Sequence, residues 1–361
     1  ISCSSDVDPV VTEPVEGLVT SPENINIQGL YILNEGNMGS NKASLDYFDY
    51  STGIFTKNIY GKANPTIVNS LGDVGNDIQI YGSKMYAVIN VSNYIEVMDA
   101  KTARHLGSIS IPNCRFITFD NGYAYASSYA GPVAIDPNAQ LGYVAKIDTT
   151  NLQIISTETV GYQPEEMSIA NNKLYVANSG GYRAPNYDTT VSVIDLNSFK
   201  EIKKIETGIN LWRVRKDKNN KIWVASRGDH AKISPKTYII NPQTDTVEKE
   251  LDIPVSDMGF IDNKMYYYGY VWTAQGTTTR YGILDVDTQT QLSSNFIQNG
   301  AEAEITIPYA LVINPVNGDI FIADAKNYLS PGKLFCFDKN GYLKWSATTG
   351  DIPGHLTFLW K

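Results

Sequence analysis

Side chains able to do chemistry are sparse in this sequence, and their spacing argues for binding rather than turnover. There are three histidines, His105, His230 and His355, and three cysteines, Cys3, Cys114 and Cys336. So few histidines exclude a His-rich metal centre, and the absence of a C-x-x-C pair argues against structural zinc. Neither a G-x-S-x-G elbow nor a phosphate-binding P-loop occurs. The tandem acids Glu165-Glu166 are the best carboxylates for metal or acid–base work; their plainer reading is a structural motif where a repeat opens. More informative are Tyr, Trp and Arg residues in or beside Gly-, Pro- and Asn-rich segments: Tyr129, Tyr182, Arg183, Tyr187, Trp212, Arg227, Trp272, Tyr309 and Tyr328, joined by His355. Aromatic rings on loops offer rigid amphipathic contact area, and arginine supplies donors. These ten are the candidate ligand-binding residues. No catalytic residue, metal site or cofactor is assigned.

The elements that must position them form a repeat. One unit reads from Pro164-Glu-Glu-Met through Leu174-Tyr-Val-Ala and Val191-Ser-Val-Ile-Asp195 to Gly208, four short strands A to D between turn residues. The B strand recurs at Leu30-Tyr31, Met85-Tyr86, Ala124-Tyr125, Ile222-Trp223, Met265-Tyr266-Tyr267 and Ile320-Phe321. The acid closing strand C recurs at Asp49, Asp99, Asp148, Asp195, Asp285 and Asp338, with Asn241 standing in once. Both series have seven members at the spacing of four-stranded propeller blades. The repeated aspartate is read as a turn device, its carboxylate accepting backbone N–H groups just beyond the strand.

The fold class is therefore all-β, a seven-bladed β-propeller of four-stranded blades over residues 28–361. Its first blade is closed by the C-terminus: Gln28-Gly-Leu-Tyr lacks an A strand before it, and 352–360 form an A strand with nothing after it. That clasp removes an open sheet edge. Loops joining B to C and D to the next A emerge on one face around the channel. The B–C loops fall at 34–44, 127–142, 178–190, 226–236, 268–280 and 324–332, and they carry most of the candidates. Tyr182, Arg183 and Tyr187 share a Gly/Pro/Asn loop where core packing is unexpected, which favours them as contacts. Trp212 and Tyr309 open inner strands, where they either face a ligand or plug the channel. His230 and His355 could approach a ligand's metal ion, although a lone loop histidine is ordinarily solvated or hydrogen-bonded.

Composition narrows the partners. A formal net charge of −9 makes nucleic acid a poor partner, and an anionic membrane surface too. No apolar run approaches the length of a transmembrane helix. Cys114 and Cys336 sit in distant strand-like runs and read as small core residues. Ile1-Ser2-Cys3 resembles the end of a bacterial lipoprotein signal, so 1–3 are assigned as the remnant of that signal with Cys3 acylated. Residues 4–24 carry five acids, three prolines and no Lys or Arg. A flexible acidic tether over 4–27 is expected, resembling the export signal of Bacteroidetes surface lipoproteins.

Asn34-Glu-Gly-Asn-Met-Gly, Pro164-Glu-Glu-Met and Val191-Ser-Val-Ile-Asp195-Leu resemble YncE-like propellers in the form found in Bacteroidetes surface lipoproteins. The resemblance covers about residue 28 to 361 and is more specific for fold than for ligand. Its best-understood members are the BtuG-type lipoproteins, which capture cobalamin and sit on a TonB-dependent outer-membrane transporter. The resemblance implies a lipid-anchored outer-membrane protein facing outward, binding cobalamin and partnering a transporter of the BtuB type. The alternatives are a propeller for glycans or another nutrient, or a carboxylate-metal lactonase.

Overall fold

The computed structural model describes residues 16–67, 70–273 and 276–361, with the side chains of Trp272 and Thr273 outside the description. Seven antiparallel sheets form seven blades, six of four strands and one of five. Blade two runs Gly75–Tyr81, Lys84–Ile89, Tyr94–Asp99 and His105–Ser110. Blades three to seven repeat that meander, opening at Cys114, Pro164, Leu211, Asp257 and Pro308. Blade one is split as expected: Pro353–Trp360 pairs with Ile27–Asn34, with Leu30 opposite Phe358 and Ile32 opposite Leu356.

Strand B explains why seven sheets form one ring. Its recurring aromatic, Tyr31, Tyr86, Tyr125, Tyr175, Trp223, Tyr266 or Phe321, is buried in every blade. Each of these aromatics belongs to a different apolar cluster, shared between its own blade and the next. The residue before it faces the preceding blade, because side chains alternate along a strand. Burying one such ring contributes about 2–3 kcal/mol, so the core consists of seven inter-blade layers.

The residue closing strand C acts as a turn device in all seven blades. A side-chain oxygen of Asp49, Asp99, Asp148, Asp195, Asn241, Asp285 and Asp338 accepts a backbone N–H two or three residues on, at 2.7–3.0 Å. Cys114 and Cys336 are free and buried.

Two expectations need correction. The tether does not run to residue 27: Glu16–Leu18 adds a fifth strand to blade one, pairing with Ile54–Thr56, and Glu23 takes a 2.9 Å ion pair from Lys344 of blade seven. The unpaired N–H and C=O groups of the outer strand recruit this acidic stretch despite its composition. Nor is 268–280 an open loop. Lys264–Thr273 and Gly276–Asp285 form one long hairpin, because Tyr266, Tyr268, Tyr270 and the threonines 277–279 suit extended pairing. Cys3 and residues 4–15 lie outside the described residues.

Candidate functional site

The mouth of the channel is assembled by one repeated hydrogen bond. In six blades the first residue of the B–C loop donates its N–H to the carbonyl of the residue ending the preceding D–A connector. The pairs are Glu35 to Ile352 (2.8 Å), Asn90 to Val74 (2.8 Å), Tyr129 to Asn113 (3.1 Å), Ser179 to Gln163 (3.1 Å), Arg227 to Asn210 (3.0 Å) and Ala325 to Ile307 (2.9 Å). Loops from both ends of a blade are thus fixed to each other where they meet the channel.

Within this ring lies a cup of about 440 Å³, in the range of small-molecule sites. Blades four to seven give it an aromatic wall of Tyr182, Trp212, Tyr268, Tyr270, Tyr309 and Tyr328. Asn76, Asn90, Glu35 and His355 add polar groups on the other side. The wall is internally braced. Tyr270 Oη donates to Pro308 O at 2.7 Å, and Tyr309 Oη donates to Glu35 Oε2 at 3.1 Å. His355 Nε2 lies 3.3 Å from the other Glu35 oxygen. Burial, then the Glu35 charge, pushes the Tyr309 phenol well above its ordinary range.

Arg213 closes the floor. Its side chain is only 4% exposed, and among the described residues it makes no hydrogen bond; Asp257 and Glu166 stand off at 3.4 and 3.6 Å. The guanidiniums of Arg213 and Arg227 both lie against the Trp212 indole, at 4.8 and 4.4 Å from the ring centre. Arg227 is also held by Asn210 Oδ1 at 2.8 Å. His230, beside Arg227, has its pKa lowered, by burial first and then by the Arg227 charge.

Below Arg213 and His355 is a second chamber of about 250 Å³, lined by Asp77, Glu166, Arg215 and Asp257. Its carboxylates are structural. Asp77 of blade two accepts Ile117 N–H of blade three at 3.0 Å, Glu166 of blade four accepts Val214 N–H at 2.8 Å, and Asp257 of blade six accepts Leu311 N–H at 2.8 Å. Each caps the open inner edge of the next blade. Glu165 is likewise engaged: Arg115 Nε donates to it at 3.0 Å, and the Tyr129 hydroxyl donates to its other oxygen. Burial alone would lower the Arg115 pKa, but the Glu165 charge and hydrogen bond together with the Tyr129 and Tyr182 phenols outweigh it, and the net shift is upward. Glu165-Glu166 therefore serves blade locking. Among the described residues no group of three or more His, Cys, Asp or Glu is placed to hold a metal ion.

Of the ten candidates, Tyr182, Trp212, Arg227, Tyr309, Tyr328 and His355 line the cup. Three do not. Tyr129 is buried behind the wall with Arg115 over its ring. Arg183 stacks on Tyr162 at 3.5 Å and donates to Asn186 O, turning its loop inward on itself and away from the cup. Tyr187, in the same loop, is half-buried and is not part of the lining. Trp272 falls in the blade-six hairpin, and its side chain lies outside the description. Glu35, Asn76, Arg115, Arg213, Tyr268 and Tyr270 also line the cup and are not among the ten candidates, although Glu35, Arg213, Tyr268 and Tyr270 fall in segments expected on the channel face. For Asn76, Arg115 and Arg213 a usable signal existed, because each is the second or third residue of an inner strand, the position that reaches the channel mouth.

Fold and site together define a seven-bladed propeller with a charge-balanced, aromatic-walled cup at one mouth of its channel. The chain belongs to the family described as a domain of unknown function, DUF5074, whose profile matches residues 28–346. A search of the curated proteins finds no match. Among solved structures, it is similar to a quinoprotein alcohol dehydrogenase-like protein of Bacteroides thetaiotaomicron, with TM-score 0.62 and 15% identity over 92% of this chain and 78% of that one. It is also similar to the hydrazine synthase of Kuenenia stuttgartiensis, with TM-score 0.56 and 15% identity over 74% of this chain and 77% of that one. At such identities the likeness is one of fold.

Proposed function

We propose that this protein is a ligand-capturing propeller of the outer cell surface. In this reading it is lipid-anchored through Cys3, takes up cobalamin in the cup and passes it to a TonB-dependent outer-membrane transporter of the BtuB type. The observation that carries the binding reading is the cup itself: an aromatic wall braced by hydrogen bonds, facing polar groups, over a buried arginine with unused donors. Preformed geometry of this kind lowers the ordering cost of binding.

Charge balance narrows the ligand. Glu35 is the one acid among the described cup-lining residues, and the guanidiniums there are neutralised from behind: Glu165 lies 3.0 Å from Arg115 and 3.8 Å from Arg227, and Asp257 and Glu166 lie 3.4 and 3.6 Å from Arg213. Such a lining suits a ligand whose polar groups are mostly uncharged acceptors and donors. A corrin rimmed with amides meets that description. It exceeds the enclosed volume, so it sits across the mouth with its amides toward the aromatic wall. The loop tips around that mouth carry exposed apolar side chains, Ile135 (76% exposed) and Leu329 (77% exposed) among them, which supports docking of a transporter on this face. Binding is favoured over turnover because the best carboxylate pair, Glu165-Glu166, is consumed by internal bonds.

Isothermal titration with cyanocobalamin is the test, and tight one-to-one binding is expected. Absence of heat at micromolar protein refutes the corrinoid reading, and oligosaccharide binding on a glycan array replaces it with a sugar ligand. Turnover of a lactone, abolished by chelator, replaces binding with catalysis.

A further inference from the structure

Six connector residues occupy one structural position, defined by the carbonyl that accepts the first N–H of the B–C loop. Five of them lie in the left-handed region: Val74 (φ 61°), Asn113 (44°), Gln163 (51°), Asn210 (54°) and Ile352 (58°). Asparagine enters that region readily because its short amide bonds locally, whereas a β-branched side chain crowds the backbone there. In blades three, four and five the residue is polar and fastens its own B–C loop. Asn113 Nδ2 donates to Gly131 O at 3.0 Å, Asn210 Nδ2 donates to Gly228 O at 2.9 Å, and Gln163 Oε1 accepts Tyr182 N–H at 2.7 Å.

Val74 and Ile352 can make no such side-chain bond, yet they adopt the same backbone. Ile352 bears a second penalty, since Pro353 biases the residue before it toward extended conformations. Both aliphatic side chains line the cup. They are linked through Glu35, whose N–H bonds Ile352 O and whose carbonyl accepts the N–H of Gly75, the residue after Val74. At this one position blades one and two therefore place hydrocarbon in the cup, beside the polar groups of Glu35, Asn76, Asn90 and His355, whereas Asn113, Gln163 and Asn210 of blades three to five are buried against their own loops and do not line it.

For the fold alone, asparagine serves this position better, as two blades demonstrate. Strain held at a site that faces a cavity marks a contact made there. We propose that Val74 and Ile352 are specificity-determining residues that hold a hydrocarbon patch against the bound ligand. The ligand must then present a methyl or methylene group to Val74 and Ile352, among the polar groups of Glu35, Asn76, Asn90 and His355. This inference deepens the reading of the cup as a binding site and rests on it.

The variants Val74→Asn and Ile352→Asn test it, with Val74→Gly and Ile352→Gly relieving the same φ without adding an amide. The asparagine variants are expected to raise the melting temperature by about 2 °C. All four variants are expected to lower affinity for cyanocobalamin by about tenfold, and to dim the fluorescence of anilinonaphthalene sulfonate bound to the protein. Wild-type affinity for both probes overturns the proposal, as does a lower melting temperature in the asparagine and glycine variants alike. If wild type binds the dye but not cyanocobalamin, the corrinoid reading fails and the dye measurements still decide this inference. If it binds neither probe, both fail.

Discussion

The Glu166 carboxylate of blade four accepts the backbone N–H of Val214 in blade five at 2.8 Å, across the boundary between two sheets. The same carboxylate takes a donor from Arg215 Nη2 at 3.1 Å. One side chain thus caps an open sheet edge and balances a half-buried guanidinium. Glu166→Ala is expected to cost about 1–3 kcal/mol, because it strands a backbone donor and takes one of two carboxylate partners from Arg215, leaving it to Asp257. Urea unfolding measures this; a loss under about 0.5 kcal/mol removes the latch role.

The cup also divides the aromatic candidates. Trp212→Ala is expected to weaken the cognate ligand by about 2 kcal/mol, roughly thirtyfold, since the indole lies at the centre of the wall against two guanidiniums. Arg183→Ala and Tyr187→Ala are expected to leave affinity unchanged, because neither side chain reaches the cup. Titration calorimetry on the three variants separates these outcomes, and the reverse ranking relocates the site to the 178–190 loop.

His230 gives the site a pH signature. Its pKa is lowered from the ordinary 6.5, by burial first and by Arg227 second. A histidine with a depressed folded pKa favours its neutral form, so its contribution to stability is lost as pH falls below the unfolded value. His230→Gln is expected to flatten the fall in stability below about pH 6.5. Denaturant midpoints across that window check it, and identical pH profiles for variant and wild type contradict it.

Both core thiols should be inert. Burial pushes the Cys114 thiol up to about 12, and burial likewise raises Cys336 well above the usual range. Iodoacetamide at about pH 8 is expected to leave Cys114 and Cys336 unlabelled in the folded protein and to label both in urea. Mass spectrometry of digested peptides reads the result; labelling of Cys336 in the native state means that blade seven opens.

The clasp is the last test. Deleting residues 353–361 removes the inner strand of blade one and exposes the edge of Ile27–Asn34. Loss of a single cooperative thermal transition is expected. A truncated chain that melts as wild type does shows that the ring holds without its closing strand.

What the sequence determined by itself was the repeat. Alternation along strand B, the aromatic that recurs within it and a turn-forming residue ending strand C are local properties, so blade number and the split first blade were legible from spacing alone. Tyr182, Trp212, Arg227, Tyr309, Tyr328 and His355 were also legible, since B–C loops and inner-strand openings must emerge at the channel mouth. Which way a loop side chain turns was not. Arg183 folds onto Tyr162 and Tyr129 sinks onto Glu165 because partners from other segments compete for them. Tertiary structure alone decided that Glu16–Leu18 pairs with an outer strand, because an unpaired sheet edge outweighs acidic composition. It also decided that Val74 and Ile352, indistinguishable from core residues in the sequence, hold a strained backbone at the cup. A φ angle is fixed by the blades on either side of a connector, and no pattern within the connector records it.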